Sequence, residues 1–407
     1  MPRYRDVFRV PEFTPLFLSG SAQSAAQTLA GLGLATLVYR ATGSPLLSAL
    51  AMFGPALAQL VGATTLLSAA DRLPPRAALS GVALLFAAGT AAQALPGLPV
   101  AAAFALLFLQ GLAGSVTGGV RYGLLNEILP RDRFLLGRSV LNMSVGVCQI
   151  AGFATGGVLL ALLSPRGALL AGAALYLAGA LLAYRGLSAR APRAAGRPSP
   201  GETWRTNALL WSSPARRRIY LALWVPNGLI VGCESLFVPY APERAGLLFV
   251  CAAVGMLAGD TAVGRFVPPS WRARLAAPLQ CLLAAPYLVF VLRPGLVLAV
   301  VAITVSAVGY GASLLYQERL TALVPDELSG HALGLHASGM LALQGLSAAV
   351  AGGLAQLASP AAAMTMLAVA SLAVTAALSV QGSRLRRAEQ RKSAEPGTVN
   401  LVPRSRW

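Results

Sequence analysis

The stretch from Asn126 to Leu163 reads NEILPRDRFLLGRSVLNMSVGVCQIAGFATGGVLLALL, and the stretch from Thr321 to Ala358 reads TALVPDELSGHALGLHASGMLALQGLSAAVAGGLAQLA. The two stretches align at one constant offset. Four pairs of like residues then coincide: Pro130 with Pro325, Asp132 with Glu327, Gln149 with Gln344, and Gly157 with Gly352. Self-similarity of this kind indicates that one structural unit occurs twice in the chain.

A second pair of segments supports the duplication. SAADRLPPR at residues 68–76 corresponds to LAGDTAVGR at residues 257–265, which sets Asp71 against Asp260. Repeated halves are common in secondary transporters, whose substrate site lies between the repeats near the middle of the bilayer. The repeat therefore predicts two halves of like topology in parallel orientation.

The composition places both halves in a membrane. Of the 407 residues, 56% are hydrophobic and only 11% are charged, and the mean hydropathy is +0.66. Soluble globular proteins carry about 25% charged residues, whereas repeated apolar runs of about 20 residues are typical of bilayer-spanning helices. The four cysteines lie in apolar runs without disulfide or metal-ligand spacing, so they are expected to be buried apolar residues.

Twelve apolar runs are long enough to cross the bilayer. The first six lie at residues 16–39, 46–70, 77–95, 98–120, 139–163 and 167–184, and the second six at residues 219–240, 246–266, 273–292, 295–316, 335–357 and 361–381. We therefore predict an all-α integral membrane protein of twelve transmembrane helices in two pseudo-symmetric six-helix halves. The halves comprise residues 1–184 and 219–382, residues 185–218 form a basic linker, and residues 383–407 form a basic tail that is expected to be disordered.

The positive charges predict the orientation. Of the 32 arginines and lysines, 27 lie in the termini or in segments on the same side of the membrane as the termini, and four lie on the other side. Positive residues accumulate on the cytoplasmic side, so both termini are predicted in the cytoplasm, with the chain in a bacterial plasma membrane. The net charge of +18 is spread over short segments rather than a groove with interleaved aromatics, which argues against nucleic acid and for anionic lipid as a partner.

The linker contains a possible interfacial helix. In ETWRTNALLWSSPARRR, residues 202–218, Trp204, Ala208 and Trp211 fall on one helical face with arginines nearby. This pattern is typical of a short helix lying in the inner membrane interface. A plain solvated linker fits the same sequence.

At the duplicated loops after spans 2, 4, 8 and 10 the sequence resembles the major facilitator superfamily. The resemblance extends over essentially the whole chain. The superfamily's signature loop after span 2 has the form G-x-x-x-D-R-x-G-R-R. Asp71, Arg72 and Arg76 match it, whereas Leu67 and Pro74 occupy its glycine positions. The second copy retains a related acid, glycine and arginine at residues 260, 264 and 265, with the spacing stretched by one. The resemblance implies the twelve-helix fold and transport by alternating access.

A finer resemblance points to the drug and siderophore exporters of that superfamily. It rests on the loop LPRDRFLLGRS after span 4 and on the glycine-rich GFATGGVLL of span 5. Such exporters often carry an arginine in the middle of span 4, just before a Gln-Gly pair. Gln110 and Gly111 form that pair here, but Leu107 occupies the arginine's position, so the resemblance does not supply proton coupling by that route.

Glu234 is the candidate proton site. It lies in NGLIVGCESLFVPY, residues 227–240, two-thirds along predicted span 7. A charge that faced lipid there would cost several kcal/mol, so the carboxylate is expected to face the bundle interior or a wet cavity. Asn227 lies two turns earlier on the same face and is predicted to share its role in proton coupling or substrate binding. The alternative is a structural glutamate paired at the outer rim with Arg244 or Arg293.

Other polar side chains in the apolar runs are predicted to line the cavity. In a bilayer, amides and hydroxyls normally face partners or water rather than lipid. Hydrogen bonding between helices is the alternative role for the same side chains. The candidates are Gln23, Gln27, Asn142, Gln149, Gln344 and Tyr310.

Charged residues at the predicted cytoplasmic ends of the spans form a candidate gate. Opposite charges there can lock the two halves in the outward-open state and release them when the halves rock. Ordinary surface ion pairs, each worth about 0–1 kcal/mol, are the alternative. The resemblance favours Asp71 and Arg72, and the other candidates are Arg121, Glu127, Asp260, Arg265, Glu318 and Arg319. Glycines in spans 5 and 11, among them Gly152, Gly156 and Gly352, are expected at close helix contacts.

The predicted function is export of small amphiphilic molecules, such as drugs or secondary metabolites, in exchange for protons. The family-like loops, the apolar interior and the single mid-span acid favour it. A proton-coupled uptake carrier for a polar nutrient or metabolite is the alternative, and it is expected to show more interior polar groups or buried arginines, for which Arg121 is the one candidate. A membrane enzyme or scaffold is least favoured. No G-x-x-x-x-G-K-[ST] run or metal constellation is visible, so we expect no cofactor, and we expect a monomer.

Overall fold

The structure is a computed structural model. It describes residues 4–65, 73–130, 164–192 and 200–394, together with scattered positions between residues 137 and 162. All regular elements of the described residues are helices. We number the membrane-crossing segments span 1 to span 12 and call spans 1–6 the N half and spans 7–12 the C half.

Five helices of the N half have printed bounds among the described residues. Span 1 is Phe13–Thr42, span 2 is Pro45–Thr65, span 3 is Pro75–Gln93, span 4 is Val100–Ile128 and span 6 is Pro165–Gly186. The described positions of span 5 are helical as well. A short helix, Tyr4–Phe8, precedes span 1.

Several spans of the C half are interrupted helices. Span 7 consists of Pro214–Glu234 and Phe237–Tyr240, span 8 is Ala245–Phe266, and span 9 consists of Pro269–Ala284 and the 3-10 helix Ala285–Leu292. Span 10 consists of Leu296–Val308, the 3-10 turn Gly309–Gly311 and Ala312–Ala322. Span 11 is Asp326–Leu357, span 12 is Pro360–Ala394, and the linker contains the helix Pro200–Ser212.

The predicted all-helical membrane architecture is confirmed. Ten helices of the described residues are long and apolar enough to cross a membrane. Span 1 is not among those ten because two glutamines and several hydroxyl residues lower its hydropathy, and span 5 is described only in part. Span 7 begins at Pro214, five residues before the predicted start, and span 12 continues past residue 381 to Ala394.

Local sequence signals set most helix boundaries. Proline stands at the first helical position of spans 2, 3, 6, 7, 9 and 12, where its missing N–H costs no hydrogen bond. Span 1 ends at Gly43, whose φ of 64° suits glycine and lets its N–H donate to Tyr39 O at 2.8 Å. The hairpins between spans are therefore tight.

Packing within the two halves is pseudo-symmetric. In the N half, span 6 packs against spans 1 and 3, and span 2 packs against span 4. In the C half, span 12 packs against spans 7 and 9, and span 8 packs against span 10. These are the same pairs shifted by six spans, as the sequence duplication predicts.

Among the described residues, the hydrophobic core is continuous across the halves at one end. We call the end that carries the hairpin at Gly43 the loop face and the end that carries the linker the termini face. Near the loop face, one buried cluster joins N-half residues such as Leu34 and Leu107 to C-half residues such as Phe237 and Tyr287. Near the termini face, the described residues form separate clusters, one in each half.

Direct contacts close the loop face. Tyr39 Oη of span 1 donates to the carbonyl oxygen of Pro239 in span 7 at 3.3 Å. Gln356 Nε2 of span 11 donates to Ser44 Oγ, just before span 2, at 2.6 Å. Spans 2 and 11 also pack closely along their lengths. The conformation is thus closed at the loop face, with separate cores at the termini face.

The linker helix is docked on the C half. Leu210 is fully buried, and the Trp211 ring stacks on Trp224 of span 7 with centroids 5.6 Å apart. Arg216 donates to the carbonyl oxygens of Leu209 and Leu210, which completes the end of the helix. The C-terminal part of the linker is therefore packed against span 7.

Candidate functional site

Glu234 lies where two helices are interrupted. It is the last residue of the first helix of span 7, and it is only 6% exposed. Tyr310 Oη, in the 3-10 turn of span 10, donates to Glu234 Oε1 at 2.9 Å. The two interruptions thus place a carboxylate and a phenol in contact at the same depth of the C half.

The surroundings of Glu234 hold no cation among the described residues. Tyr287 and Cys233 are its other polar neighbours, and both are buried. Neither Arg244 nor Arg293 forms an ion pair with it. A carboxyl group inside a membrane protein is a chemically suitable site for a proton that is bound and released during transport.

Pro226 shapes the part of span 7 that leads to Glu234. Proline has no N–H, so it leaves the carbonyl oxygen of Ala222, four residues earlier, without its helical donor. Gln280 Nε2 of span 9 donates to that oxygen, and Ser371 Oγ of span 12 donates to Pro226 O at 3.3 Å. Side chains of two neighbouring spans therefore satisfy the backbone around the proline.

Asn227 lies on the same face as Glu234, about 10 Å closer to the termini face. Its side chain is 7% exposed, and its Oδ1 has no hydrogen-bond partner among the described residues. A buried amide oxygen without a donor is unusual in folded proteins. It remains available to a donor from a solute or from water.

The N half contains a pocket lined by amides, which we call the amide pocket. Gln27 of span 1, exposed at mid-span, lines it together with Gln59, Thr90, Gln93 and Gln110 of spans 2, 3 and 4. Gln110 Nε2 donates to Thr90 Oγ1 at 3.1 Å, and Gln93 Nε2 donates to Gln110 Oε1 at 3.3 Å. The pocket thus presents amide groups among apolar side chains such as Leu34 and Phe86.

Of the predicted cavity residues, Gln27 and Tyr310 lie at the two sites just described. Gln23 lies one turn from Gln27 and contacts Arg121 of span 4, whereas Gln344 is half-buried on span 11. Asn142 and Gln149 lie outside the described residues. Gln59, Thr90 and Gln93 were not predicted, although each is a polar residue in an apolar run.

Three of the described gate candidates have a contact near the end of their own half. Glu127 lies 3.6 Å from Arg190, and Glu318 lies 3.0 Å from Arg272. Arg319 donates to the carbonyl oxygen of Ala273 and lies over the Tyr316 ring. Asp260 is half-buried and Arg265 exposed. Asp71 and Arg72 lie outside the described residues.

Arg121 does not lie with the other gate candidates. Its Nη2 donates to Gln23 Oε1 at 2.7 Å, inside the N half and seven residues before the end of span 4. Its guanidinium packs beside Gly20 of span 1. Its position within the N half sets it apart from a latch at the termini face.

An ion pair stabilises the N half at the termini face. Arg190 Nη1 and Nη2 donate to the two carboxylate oxygens of Glu12 at 2.6 and 2.8 Å, which ties the segment after span 6 to the start of span 1. The Arg190 hydrogen bond, helped by Ser188, holds the pKa of Glu12 below its ordinary value. This pair makes stability depend on pH.

We expect Glu12→Gln to lower the melting temperature of the detergent-purified protein at pH 7, by the equivalent of about 1 kcal/mol. A carboxyl whose pKa is lower in the folded state stabilises the protein above its unfolded pKa, and this stabilisation is lost as pH falls through the folded pKa. The difference from wild type should therefore shrink below about pH 4. Glu243→Gln, at an exposed loop position, is the control, and a difference that persists in acid would contradict the assignment.

Comparison with known proteins gives a family and a fold. The model of the Major Facilitator Superfamily matches residues 16–318. A peptide transporter, POT, solved in complex with sulfate superposes with a TM-score of 0.69 at 15% identity, covering 95% of this chain and 99% of that one. No curated protein matches the chain.

Two other solved transporter structures are similar to this chain over nearly its whole length. A POT family transporter in complex with a thioalcohol-conjugated peptide has a TM-score of 0.68 at 13% identity, covering 91% of this chain and 96% of that one. A bacterial homologue of the human lysosomal transporter Spinster, inward-facing and occupied, has a TM-score of 0.68 at 14% identity and covers 94% and 98%. At these identities the likeness shows the fold alone, and it does not assign the chain to the drug and siderophore branch. Because the family model covers most of the chain, the protein belongs to the major facilitator superfamily of membrane transporters.

Proposed function

We propose that the protein is a proton-coupled carrier that takes up a polar nutrient or metabolite by alternating access, with Glu234 as its proton site. The observation that carries the proposal is the buried Glu234–Tyr310 pair, which has no cation beside it among the described residues. Binding and release of one proton there changes the charge of the C half by one unit. Such a change can bias the equilibrium between two conformations.

Polar groups in the N half favour a polar solute over an amphiphilic one. An uptake carrier is expected to have more polar groups or arginines in its interior than an exporter of amphiphilic molecules. The amide pocket and Arg121 are polar groups of this kind. Amide side chains can orient a solute by hydrogen bonds to its carbonyl, hydroxyl or amino groups. Structural neighbours that bind a peptide are compatible with this class of solute.

Export of amphiphilic molecules is the second candidate. The residues around Glu234, such as Ile230, Leu236 and Phe237, are apolar. An amphiphilic cation that displaced the proton from Glu234 would find apolar contacts there. The two candidates require opposite coupling, because uptake moves the proton with the solute whereas export exchanges the two.

We place the protein in the plasma membrane as a monomer. Both of its termini then lie in the cytoplasm. The excess of arginine on the termini face supports this orientation. The loop face is then external, and the structure corresponds to a state closed to the outside. The predicted charge gate would be released in this state, which agrees with the within-half contacts of Glu127 and Glu318.

The proposal is tested with Glu234→Gln in proteoliposomes. A thermal-stability screen first selects a solute, with short peptides, amino acids and small carboxylates compared against amphiphilic cations such as ethidium. We expect a polar solute to be selected and to accumulate when the lumen is alkaline. In Glu234→Gln, gradient-driven accumulation should fall at least about tenfold, because one proton-linked step is lost. Solute exchange at equal pH should continue, because it needs no net proton movement.

The control variant is Tyr310→Phe, which removes the hydrogen bond to Glu234 but keeps the carboxyl group. It should retain proton-driven accumulation at a reduced rate. Accumulation driven by an acidic lumen, with ethidium as the selected solute, would replace uptake by export. Unchanged proton-driven accumulation in Glu234→Gln would remove Glu234 from the mechanism.

A further inference from the structure

Arg121 is a cation inside the N half. It lies on span 4, about 10 Å from the end of the helix at Ile128. One donor, Nη2, is bonded to Gln23 Oε1 at 2.7 Å, whereas Nε is buried and has no hydrogen-bond partner among the described residues. A charge at this depth is unfavourable unless it is paired and hydrogen-bonded. Among the described residues, Nε therefore has no acceptor and the guanidinium has no anionic partner.

The described residues do not supply an anion to this site. Their ion pairs use other arginines: Arg9 with Asp6, Arg190 with Glu12 and Glu127, and Arg272 with Glu318. Glu234 is bonded to Tyr310 in the other half. An anion for Arg121 must therefore come from outside the described residues.

The neighbours of Arg121 form a site of defined shape. A Cβ placed on Gly20 would lie 3.1 Å from Arg121 Cζ, so glycine provides the space for the guanidinium plane. Gln23 accepts from Nη2 and so orients the plane, whereas Nε has no hydrogen-bond partner among the described residues. Guanidinium presents paired donors whose geometry matches a carboxylate.

A polar track leads from Arg121 to the amide pocket. Gln27 lies one turn beyond Gln23 on span 1, about 6 Å further along the helix, and it lines the pocket with Gln59 and Gln110. A solute with its anionic end at Arg121 would thus extend its other polar groups toward amide side chains.

We propose that Arg121, oriented by Gln23, binds the carboxylate of the transported solute. The substrate class is then an organic anion or a zwitterion, such as an amino acid or a short peptide. This inference rests on the proposed function, since it assigns the substrate of the same carrier. It also places the two ligands in different halves, since the anion binds in the N half and the proton binds in the C half.

The test compares carboxylates with their neutral amides. The full-length protein in detergent is titrated with alanyl-alanine and alanyl-alaninamide, lactate and lactamide, and succinate and succinamide, and binding is measured as thermal stabilisation. We expect a carboxylate to stabilise the protein and its amide to bind at least tenfold more weakly. Arg121→Gln should remove the preference, Gln23→Ala should weaken carboxylate binding several-fold, and Arg274→Gln, an exposed arginine at the termini face, should change neither.

The melting temperature without solute separates this assignment from a structural role. If no internal anion pairs with Arg121, Arg121→Gln should leave that temperature unchanged or raise it, because it removes a half-buried charge that has no ionic partner. A large decrease in Arg121→Gln, matched by a decrease in Asp71→Asn, would instead show an internal ion pair and overturn the proposal. Equal binding of the members of every pair, or no binding of any carboxylate, would also overturn it.

The outcomes also separate this inference from the proposed function. Carboxylate binding that depends on Arg121, without transport driven by a pH gradient, would retain the anion site and reject the proton-coupled carrier. Proton-driven transport of a neutral solute that is unaffected by Arg121→Gln would retain the carrier and reject the anion site.

Discussion

Joining cysteines at positions 44 and 356 with a short thiol-reactive crosslinker is expected to abolish transport. Ser44 and Gln356 belong to different halves, and their side chains are hydrogen-bonded at 2.6 Å across the closed loop face. Alternating access requires this contact to break so that the central site can reach the other side of the membrane. A covalent link would hold the loop face closed and stop the cycle.

The experiment uses a protein whose native residues Cys148, Cys233, Cys251 and Cys281 are replaced by alanine. Transport of the solute chosen in the stability screen should fall below about a tenth of its rate after linking, and a cleavable crosslinker should restore it on reduction. Tyr240 and Pro294 provide the matched control, since the Tyr240 hydroxyl donates to Pro294 O at 3.0 Å within the C half. Linking that pair should leave transport largely intact. Normal transport with the 44–356 link fully formed would mean that the loop face does not have to open.

The sequence predicts the helices well because membrane helices depend on local composition. Apolar length, prolines at helix starts and the duplicated loops all act within a few residues of one another. The errors at the ends of span 7 and span 12 have a local cause. Arginines at residues 216–218 lie within the helix because their long side chains can reach the membrane surface. Apart from Gly382, the residues from 381 to 394 include no glycine or proline that would interrupt the helix.

The candidate site is predicted only in part, because it depends on how helices face one another. Glu234 and Tyr310 could each be singled out as polar residues in apolar runs, but their contact requires the interruptions of spans 7 and 10 to lie at one depth. Gln59 and Gln93 carry the same signal as Gln27. Nothing in the order of residues shows that they meet in one pocket.

Arg121 shows the same limit more sharply. Its distance from the end of span 4 suggests a residue at the membrane surface, and the sequence prediction therefore placed it in the gate. The structure turns its guanidinium toward Gln23 of span 1, where Gly20 leaves space for it. Only the relative rotation of two helices far apart in sequence decides between those environments.

Close helix contacts at glycines are also predicted only in part from the sequence. Gly152 and Gly352 were expected at such contacts, and a Cβ on Gly352 would meet the backbone of Leu46 in span 2. The tightest approach between spans 8 and 10 was not predicted. Gly255 and Gly259, four residues apart, lie against the backbone of Thr304 and Val308, which are also four residues apart. Small residues at this spacing allow two helices to pack backbone to backbone.

Gly259→Val is therefore expected to prevent folding of the C half. A Cβ on Gly259 would collide with the carbonyl oxygen of Val308 and lie 2.8 Å from its carbonyl carbon. These are backbone atoms of a packed helix, so they cannot rotate away, and spans 8 and 10 would have to separate. The cost of such overpacking is about 3 kcal/mol or more for a branched side chain, and Gly259→Ala should cost less because only one carbon is added.

Gly264→Ala is the matched control, because it lies in the same helix and a Cβ there would meet nothing within 4 Å. It should be neutral or slightly stabilising, within about 1 kcal/mol, since alanine is the better helix former. The yield of monodisperse protein and its melting temperature should follow the order Gly264→Ala, Gly259→Ala and Gly259→Val, from best to worst. If Gly259→Val were as stable as the wild type, spans 8 and 10 could not be in backbone contact. The pairing that positions Tyr310 against Glu234 would then need another origin, because the 3-10 turn at Gly309–Gly311 is packed against this same stretch of span 8.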